Sequence, residues 1–170
     1  MLNLAGIVGD SIVDGPGIRM TIFCQGCPHH CKGCQNAETW SFEGGTPMEE
    51  EEIFRIIQSN PLAKGVTFSG GEPFSQAAGF AKLAALLKQK GYEVASYSGY
   101  TFEELYHGTE EQQELLRKID VLIDGRYEEA KRSLTLVYRG SKNQRILDVP
   151  KSLQQGEAIE ITAGRWCGDY

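Results

Sequence analysis

The sequence predicts an α/β domain built on a mostly parallel sheet that forms a partial, open (β/α) barrel. Short β-branched strands alternate with amphipathic helices, a pattern typical of right-handed βαβ crossovers. A closed eight-stranded barrel takes about 250 residues, whereas this chain has 170. Because no internal repeat or linker divides the sequence, we expect residues 1–170 to form a single domain.

The elements are predicted from local patterns in the sequence. The expected strands are residues 18–24, 65–69, 92–97 and 120–124, with a hairpin of residues 134–138 and 146–149 near the end of the chain. Capping signals place helix starts at Thr46, Ser75, Thr101 and Thr109. Pro47 and Glu49 strengthen the first of these starts, and Pro61 should end that helix. Gly91 should end the helix that follows Ser75.

Each of the first four strands ends in a cysteine-rich, glycine-rich or polar segment. In parallel sheets, ligands bind beyond the carboxyl ends of the strands. We therefore expect four segments to share one rim, namely residues 24–36, 70–73, 98–100 and 124–126.

Composition and charge exclude several function classes. The net charge of −6 argues against a broad surface for nucleic acids or anionic membranes. No stretch approaches the roughly 20 apolar residues that span a bilayer, and the first residues lack the features of a signal peptide. We therefore expect a cytoplasmic protein with no nucleic-acid or membrane partner, whose five cysteines are metal ligands or free thiols.

Cys27, Cys31 and Cys34 form a C-x3-C-x2-C triplet, which constrains function more than any other segment. Three thiolates this close can bind three irons of a [4Fe–4S] cluster and leave the fourth iron open to a ligand. Cys24 would extend the pattern to a four-thiolate zinc site, and His29 and His30 are also within reach. Zinc ribbons usually separate two C-x2-C pairs by a longer loop, so we favour the iron–sulfur interpretation.

The segment Gly70-Gly71-Glu72-Pro73 is the second chemical signal. Glycines after a strand let the backbone approach a ligand closely, and a carboxylate there can accept hydrogen bonds from an ammonium group. Alone, the segment also fits an ordinary strand-to-helix turn. The segment becomes specific to a type of function only in combination with the cysteine triplet.

Together the triplet, Asn36, Trp40 and residues 69–73 resemble the radical S-adenosylmethionine enzymes. Residues 13–19, Val-Asp-Gly-Pro-Gly-Ile-Arg, narrow the resemblance to activating proteins of glycyl-radical enzymes. The short length and residues 138–145 most resemble the activating proteins of anaerobic (class III) ribonucleoside-triphosphate reductase. The resemblance covers about residues 8–148.

The resemblance implies an activating enzyme of the radical S-adenosylmethionine barrel type. Its cofactors would be one [4Fe–4S] cluster with three cysteine ligands and S-adenosyl-L-methionine, whose amino and carboxylate groups chelate the fourth iron. Reductive cleavage of the cofactor would give a 5′-deoxyadenosyl radical, which takes a hydrogen atom from a glycine of the reductase large subunit. A one-electron donor such as flavodoxin or ferredoxin would supply the electron.

The resemblance also implies roles for individual residues. The metal ligands would be Cys27, Cys31 and Cys34. The residues expected to contact S-adenosylmethionine are Gly33, Cys34, Gln35, Asn36, Gly70, Gly71, Glu72, Ser98, Asp124 and Arg126. Glu72 should lie near the cofactor's ammonium group, and Arg126 near its carboxylate.

Two positions leave alternatives open. Many superfamily members carry an aromatic residue directly before the third cysteine, and here that residue is Gly33, so the adenine must pack elsewhere. Asp124 ends a strand, and such a residue can also simply cap the following turn.

Other functions are also compatible with the sequence. The chain could activate a different glycyl-radical enzyme, such as pyruvate formate-lyase, although those activators are usually longer. A member of another class, a non-enzymatic zinc or electron-transfer module, would bind its metal through four thiolates. Residues 14–19 form a turn that could help to receive a glycine loop of the partner, and residues 139–145 could contact the partner or the cofactor.

Overall fold

The computed structural model describes residues 1–169 and shows one seven-stranded sheet with helices against it. The strands are β1 (Leu2–Ser11), β2 (Arg19–Cys24), β3 (Thr46–Met48), β4 (Gly65–Gly70), β5 (Glu93–Tyr97), β6 (Val121–Asp124) and β7 (Arg145–Asp148). The α-helices are α1 (Glu50–Gln58), α2 (Ala77–Gln89), α3 (Phe102–Tyr106), α4 (Glu110–Lys118) and α5 (Val149–Gln155).

The sheet has the strand order β3-β1-β2-β4-β5-β6-β7. Strands β2, β4, β5 and β6 pair in parallel, while β1 and β7 run antiparallel to their neighbours. Since β3 is antiparallel to β1, it points in the same direction as the parallel strands. The predicted α/β class with a mostly parallel sheet is thus confirmed.

The two faces of the sheet are covered differently. One face packs against α1, α2 and α4 around a large apolar core, in which the rings of Phe68 and Phe80 lie 4.6 Å apart. The other face carries a smaller cluster of Ala95, Ile123 and Trp166, among others. Because side chains alternate between faces along a strand, residues of one strand contribute to both clusters. The smaller cluster leaves room for a cavity on its side of the sheet.

The predicted helix start at Thr46 is wrong. Residues Thr46–Met48 form β3, which pairs with β1 from Leu2 to Leu4. The helix α1 begins at Glu50, with Glu49 as its N-cap residue. The capping signal is local, whereas the strand is stabilised by pairing with residues more than forty positions away. By contrast, the helix starts at Thr101 and Thr109 are confirmed, and both residues form capping boxes, with Glu104 and Gln112 respectively.

The predicted hairpin near the end of the chain is also wrong. Residues 134–138 form turns and bends, and Leu134 is 85% exposed. Strand β7 pairs instead with β6, where Ile146 and Leu147 bury their side chains on opposite faces of the sheet. Burial at the sheet edge outweighs pairing with the nearest segment in sequence.

Two further features differ from the sequence expectation. Ser75 lies inside a short 3-10 turn, Pro73–Gln76, and α2 begins after it at Ala77. The strand β1 was not predicted, because Gly6 and Gly9 interrupt its pattern of apolar residues. No helix within residues 1–169 combines the length and the apolar character needed to cross a bilayer.

Candidate metal and cofactor site

The segments after β2, β4, β5 and β6 meet at one end of the sheet, around a cavity of about 350 Å³. The residues predicted for the site that line this cavity are Cys27, Cys31, Cys34, Gln35, Asn36, Gly70, Gly71 and Ser98. The carboxyl ends of the parallel strands thus bring together segments that are up to about a hundred residues apart in sequence.

The cysteine loop is held by its own backbone. The amide of Gly26 donates to the carbonyl of Thr39 at 2.7 Å, and the amide of Cys27 donates to that of Trp40 at 3.0 Å. Within the loop, the amide of Cys34 donates to the carbonyl of Cys31 at 3.1 Å. The Sγ atom of Cys34 also accepts from the amide of Asn36 at 3.4 Å, and all three cysteines of the triplet line the cavity.

Cys24 lies in a different environment from the triplet. Its side chain is fully buried in the large apolar core and is absent from the cavity lining. Burial raises the pKa of the Cys24 thiol well above its usual range. Burial also raises the pKa of Cys27 and Cys31, so a metal that binds them must displace their protons. The thiol of Cys24 behaves as a small apolar side chain.

The thiols are not gathered for a single metal ion. A tetrahedral zinc ion with Zn–S bonds of about 2.3 Å needs its sulfur ligands within roughly 4 Å of one another. Among residues 1–169, the only three potential ligand atoms within 4.8 Å of one another come from Glu49, Glu50 and Glu51. These carboxylates begin α1, where Lys82 and the terminal amine of Met1 pair with them. The zinc alternative lacks its fourth thiol at this cavity, because Cys24 lies in the apolar core.

Gly70, which ends β4, and Gly71 after it permit close contact with the end of β2 and the cysteine loop. Gly70 has a φ of +91°, and a Cβ atom there would lie 2.8 Å from the backbone nitrogen of Cys24. A Cβ on Gly71 would collide with the carbonyl of Gly26. The Gly71 amide donates to the carbonyl of Cys24 at 2.9 Å. Any side chain here would separate the two segments.

Glu72 is fully buried, and its carboxylate faces protein donors. Its Oε1 atom lies 2.7 Å from both the Gly99 amide and the Nε2 atom of His29. Its Oε2 atom accepts from the Phe74 amide at 3.0 Å, and the hydroxyl of Ser98 lies 3.0 Å from both oxygens. The carboxylate is not part of the cavity lining.

Three further predicted cofactor residues also lie outside the cavity lining: Gly33, Asp124 and Arg126. The carboxylate of Asp124 caps the amide of Phe102 and accepts two hydrogen bonds from Arg145, at 3.0 and 2.6 Å. Asp124 thus caps the start of α3, which lies before it in the chain, and forms an ion pair with Arg145, whereas the sequence offered a cap of the turn that follows it. Arg126 donates from Nε to the Nδ1 atom of His29 at 3.2 Å.

Three tyrosines that the sequence did not indicate as site residues also line the cavity: Tyr97, Tyr127 and Tyr138. Tyr97 ends β5 on the side of the smaller cluster, and its hydroxyl donates to the carbonyl of Tyr138 at 2.8 Å. Burial raises the pKa of Tyr97. Alternation along β5 could have indicated Tyr97, whereas the other two lie in an irregular segment without a pattern to read.

The residues present fit an iron–sulfur cluster. Three thiols face one cavity, and the indole Nε1 of Trp40 is buried there without an acceptor among the residues described. A buried N–H without an acceptor carries a free-energy cost that a sulfur acceptor would relieve. The backbone of Gly70 and Gly71 lines the same cavity as the thiols.

Comparisons with known proteins also point to an iron–sulfur cluster domain. The family model described as a 4Fe-4S single cluster domain matches residues 13–147. The anaerobic ribonucleoside-triphosphate reductase-activating protein of Pasteurella multocida is 39% identical over 84% of this chain and 95% of its own length. The protein of that name from Escherichia coli K12 is 33% identical over 78% of this chain and 90% of its own length.

More distant proteins are similar as well. The protein of the same name from Enterobacteria phage T4 is 32% identical over 85% of this chain and 93% of its own length. The crystal structure of QueE from Escherichia coli has 21% identity and a TM-score of 0.43, covering 59% of this chain and 51% of that one. From the family-model match and the identity to relatives over nearly their whole length, the chain belongs to the family of anaerobic ribonucleoside-triphosphate reductase-activating proteins.

Proposed function

We propose that this chain uses a [4Fe–4S] cluster and S-adenosylmethionine to install a glycyl radical on the large subunit of anaerobic ribonucleoside-triphosphate reductase. One observation carries the proposal: the thiols of Cys27, Cys31 and Cys34 share a cavity with the backbone of Gly70 and Gly71, while the thiol of Cys24 is buried elsewhere. Three available thiols leave one iron of a cube without a protein ligand, which is the position that a reacting cofactor needs.

The chemistry that a bound cluster and S-adenosylmethionine supply together is a one-electron cleavage that yields a 5′-deoxyadenosyl radical. The chain itself binds the cluster and the cofactor, orients them and shields them from water. Gly70 and Gly71 contribute backbone to the cavity lining, and Gln35 and Asn36 contribute polar side chains. We propose that the open sheet is the partial (β/α) barrel of radical S-adenosylmethionine enzymes, with this rim as its functional end.

The walls of the cavity suit a radical reaction. Tyr97 and Tyr138 contribute apolar surface on the side of the smaller cluster, and Leu136 also lines the cavity. Val13 lines the cavity and is also 71% exposed, so it lies at the mouth. An opening at this point would admit a glycine segment of a partner protein, and the partner would complete the exclusion of water. The electron would come from a one-electron carrier such as flavodoxin or ferredoxin.

The relatives reported above are named for the reductase, which favours it over pyruvate formate-lyase as the partner. The zinc or electron-transfer alternative is disfavoured by the burial of Cys24.

The test is anaerobic electron paramagnetic resonance on the reconstituted, reduced protein, with and without S-adenosylmethionine. We expect a [4Fe–4S]⁺ signal that changes when the cofactor is added, and a glycyl radical signal when the reductase is also present. A cluster signal indifferent to the cofactor would indicate an electron-transfer module. A cofactor-sensitive cluster that produces a radical only on a different glycyl-radical enzyme would refute the proposed partner.

A further inference from the structure

His29 and Glu72 form a buried pair that connects the cysteine loop to the rest of the rim. The Nε2 atom of His29 lies 2.7 Å from Oε1 of Glu72, and the two side chains are 4% and 0% exposed. We propose that His29 is a positioning residue of the site, which fixes the cysteine loop against the segments after β4 and β5 through Glu72. This inference rests on the function proposed above.

The direction of the hydrogen bond follows from the other ring nitrogen. Arg126 donates from Nε to Nδ1 of His29 at 3.2 Å. A guanidinium N–H can only donate, so Nδ1 is the acceptor and Nε2 carries the hydrogen. His29 therefore donates to the carboxylate of Glu72, a charge-assisted bond between two buried side chains at the edge of the cavity, which His29 also lines.

Glu72 has no capacity left for a further strong donor. A carboxylate offers about four lone-pair sites, and four groups already donate to it: His29, Phe74, Ser98 and Gly99. An ammonium group could bind this carboxylate only by displacing one of them. The geometry thus assigns Glu72 an indirect role, in which it holds the donors that shape the cavity.

The pair also requires close packing around the histidine ring. A Cβ atom on Gly99 would collide with the His29 ring. The edge of the ring meets Tyr100, with ring centroids 4.6 Å apart. His29 lies midway between Cys27 and Cys31, so fixing its ring fixes the path of the backbone that carries both thiols.

The test compares four variants of the full, cluster-reconstituted chain. His29→Leu removes the donor. His29→Gln retains an amide N–H near the position of Nε2, whereas the shorter His29→Asn does not reach it. His30→Leu is the matched control, because His30 is exposed and stacks on Trp40 outside the pair. Two quantities are measured, the S-adenosylmethionine dissociation constant and hydrogen exchange at the amides of Phe74 and Gly99, which donate to Glu72.

We expect His29→Leu and His29→Asn to weaken cofactor binding by about tenfold, the usual effect of losing a charge-assisted hydrogen bond. Exchange at the Gly99 amide should accelerate in both variants, with or without cofactor. His29→Gln should restore both quantities to within about threefold of the wild type, and His30→Leu should leave them unchanged. The Gln and Asn variants keep the comparison informative if His29→Leu fails to fold.

Two results would overturn the inference. One is wild-type exchange at Gly99 in His29→Asn, and the other is equal cofactor affinity in His29→Gln and His29→Asn. Failure of the proposed function is distinguishable, since it would show as absence of cofactor binding in the wild type, and the exchange measurement needs no cofactor.

Discussion

Cys24 and Cys27 are three residues apart at the end of β2, yet their side chains lie in opposite environments. Cys24 is fully buried in the core between the sheet and the helices, and Cys27 lines the cavity at the rim. The chain leaves the strand at Gln25 and Gly26, whose amides donate to the carbonyls of Asn3 and Thr39. This turn, and not the spacing of the cysteines, determines which thiols can bind a cluster.

Cys24→Ala is therefore expected to retain the cluster, whereas Cys27→Ala should lose it. The first change removes one buried sulfur atom and should lower the free energy of unfolding by about 1 kcal/mol. The second removes a ligand. Iron and sulfide content after anaerobic reconstitution checks both, with thermal unfolding of each apo-protein as the control for folding. If the single substitution Cys24→Ala also abolished iron binding, the four-thiolate interpretation would be restored.

Trp40 provides a second prediction, on the redox potential of the cluster. Its buried Nε1–H has no acceptor among residues 1–169, and the residue lines the same cavity as the three thiols. A hydrogen bond to a cluster sulfur stabilises the reduced form, so Trp40→Phe should make the potential more negative. A neutral hydrogen bond of about 1 kcal/mol corresponds to about 40 mV for one electron.

The measurement is a redox titration followed by electron paramagnetic resonance. His30→Leu is a suitable control, since it removes the ring stacked on Trp40 and leaves the N–H in place. A potential in Trp40→Phe equal to that of the wild type would exclude this donor.

Arg145 gives a prediction about stability and pH. It binds the buried carboxylate of Asp124 through two nitrogens and also pairs with Glu103 at 2.7 Å. Arg145→Ala leaves the buried carboxylate of Asp124 without its ion-pair partner and should lower the free energy of unfolding by about 2–3 kcal/mol. The hydrogen bond from Arg145 lowers the pKa of Glu103.

The sign of the pH effect follows from that lowered pKa. The stability that ionised Glu103 contributes is fully present above the usual glutamate pKa of about 4.3. It is lost as the pH falls through the lower pKa that Glu103 has in the folded protein. Denaturant unfolding at several pH values should show Glu103→Gln less stable than the wild type near neutral pH, with the difference disappearing in acid. A difference that grows in acid would contradict this assignment.

The sequence predicts the rim well because its signals are local. Each parallel strand ends in its own cysteine, glycine or polar segment, and the direction of the strands then brings those segments together. Pairing between distant segments cannot be read in this way. Strand β3 and the pairing of β7 with β6 are stabilised by partners that the local pattern does not show.

The same limit applies within the site. Glu72 and Asp124 follow or end strands, as expected for ligand-binding residues, yet their carboxylates face His29 and Arg145. A single sequence does not reveal whether a buried carboxylate has a partner in the protein. That depends on which side chains the neighbouring strands and loops bring within hydrogen-bond distance.

The last prediction concerns Tyr127, which lies beside the glycine that precedes the third cysteine. A Cβ atom on Gly33 would lie 3.3 Å from the Tyr127 ring, and Gly33 has a φ of +78°. The ring lines the cavity near Cys31 and Cys34. Gly33 stands where many superfamily members carry an aromatic residue, and the ring of Tyr127 lies next to it. We therefore expect Tyr127 to contact the adenine.

Tyr127→Ala should weaken binding of S-adenosylmethionine about tenfold, since stacking of a base on an aromatic ring contributes about 1–3 kcal/mol. Tyr127→Phe keeps the ring and should bind normally. Anaerobic titrations with S-adenosylhomocysteine and with methionine locate the effect: only the ligand that contains the nucleoside should lose affinity in Tyr127→Ala. If both ligands weaken equally, Tyr127 supports the fold of the rim, because a lost adenine contact cannot affect methionine.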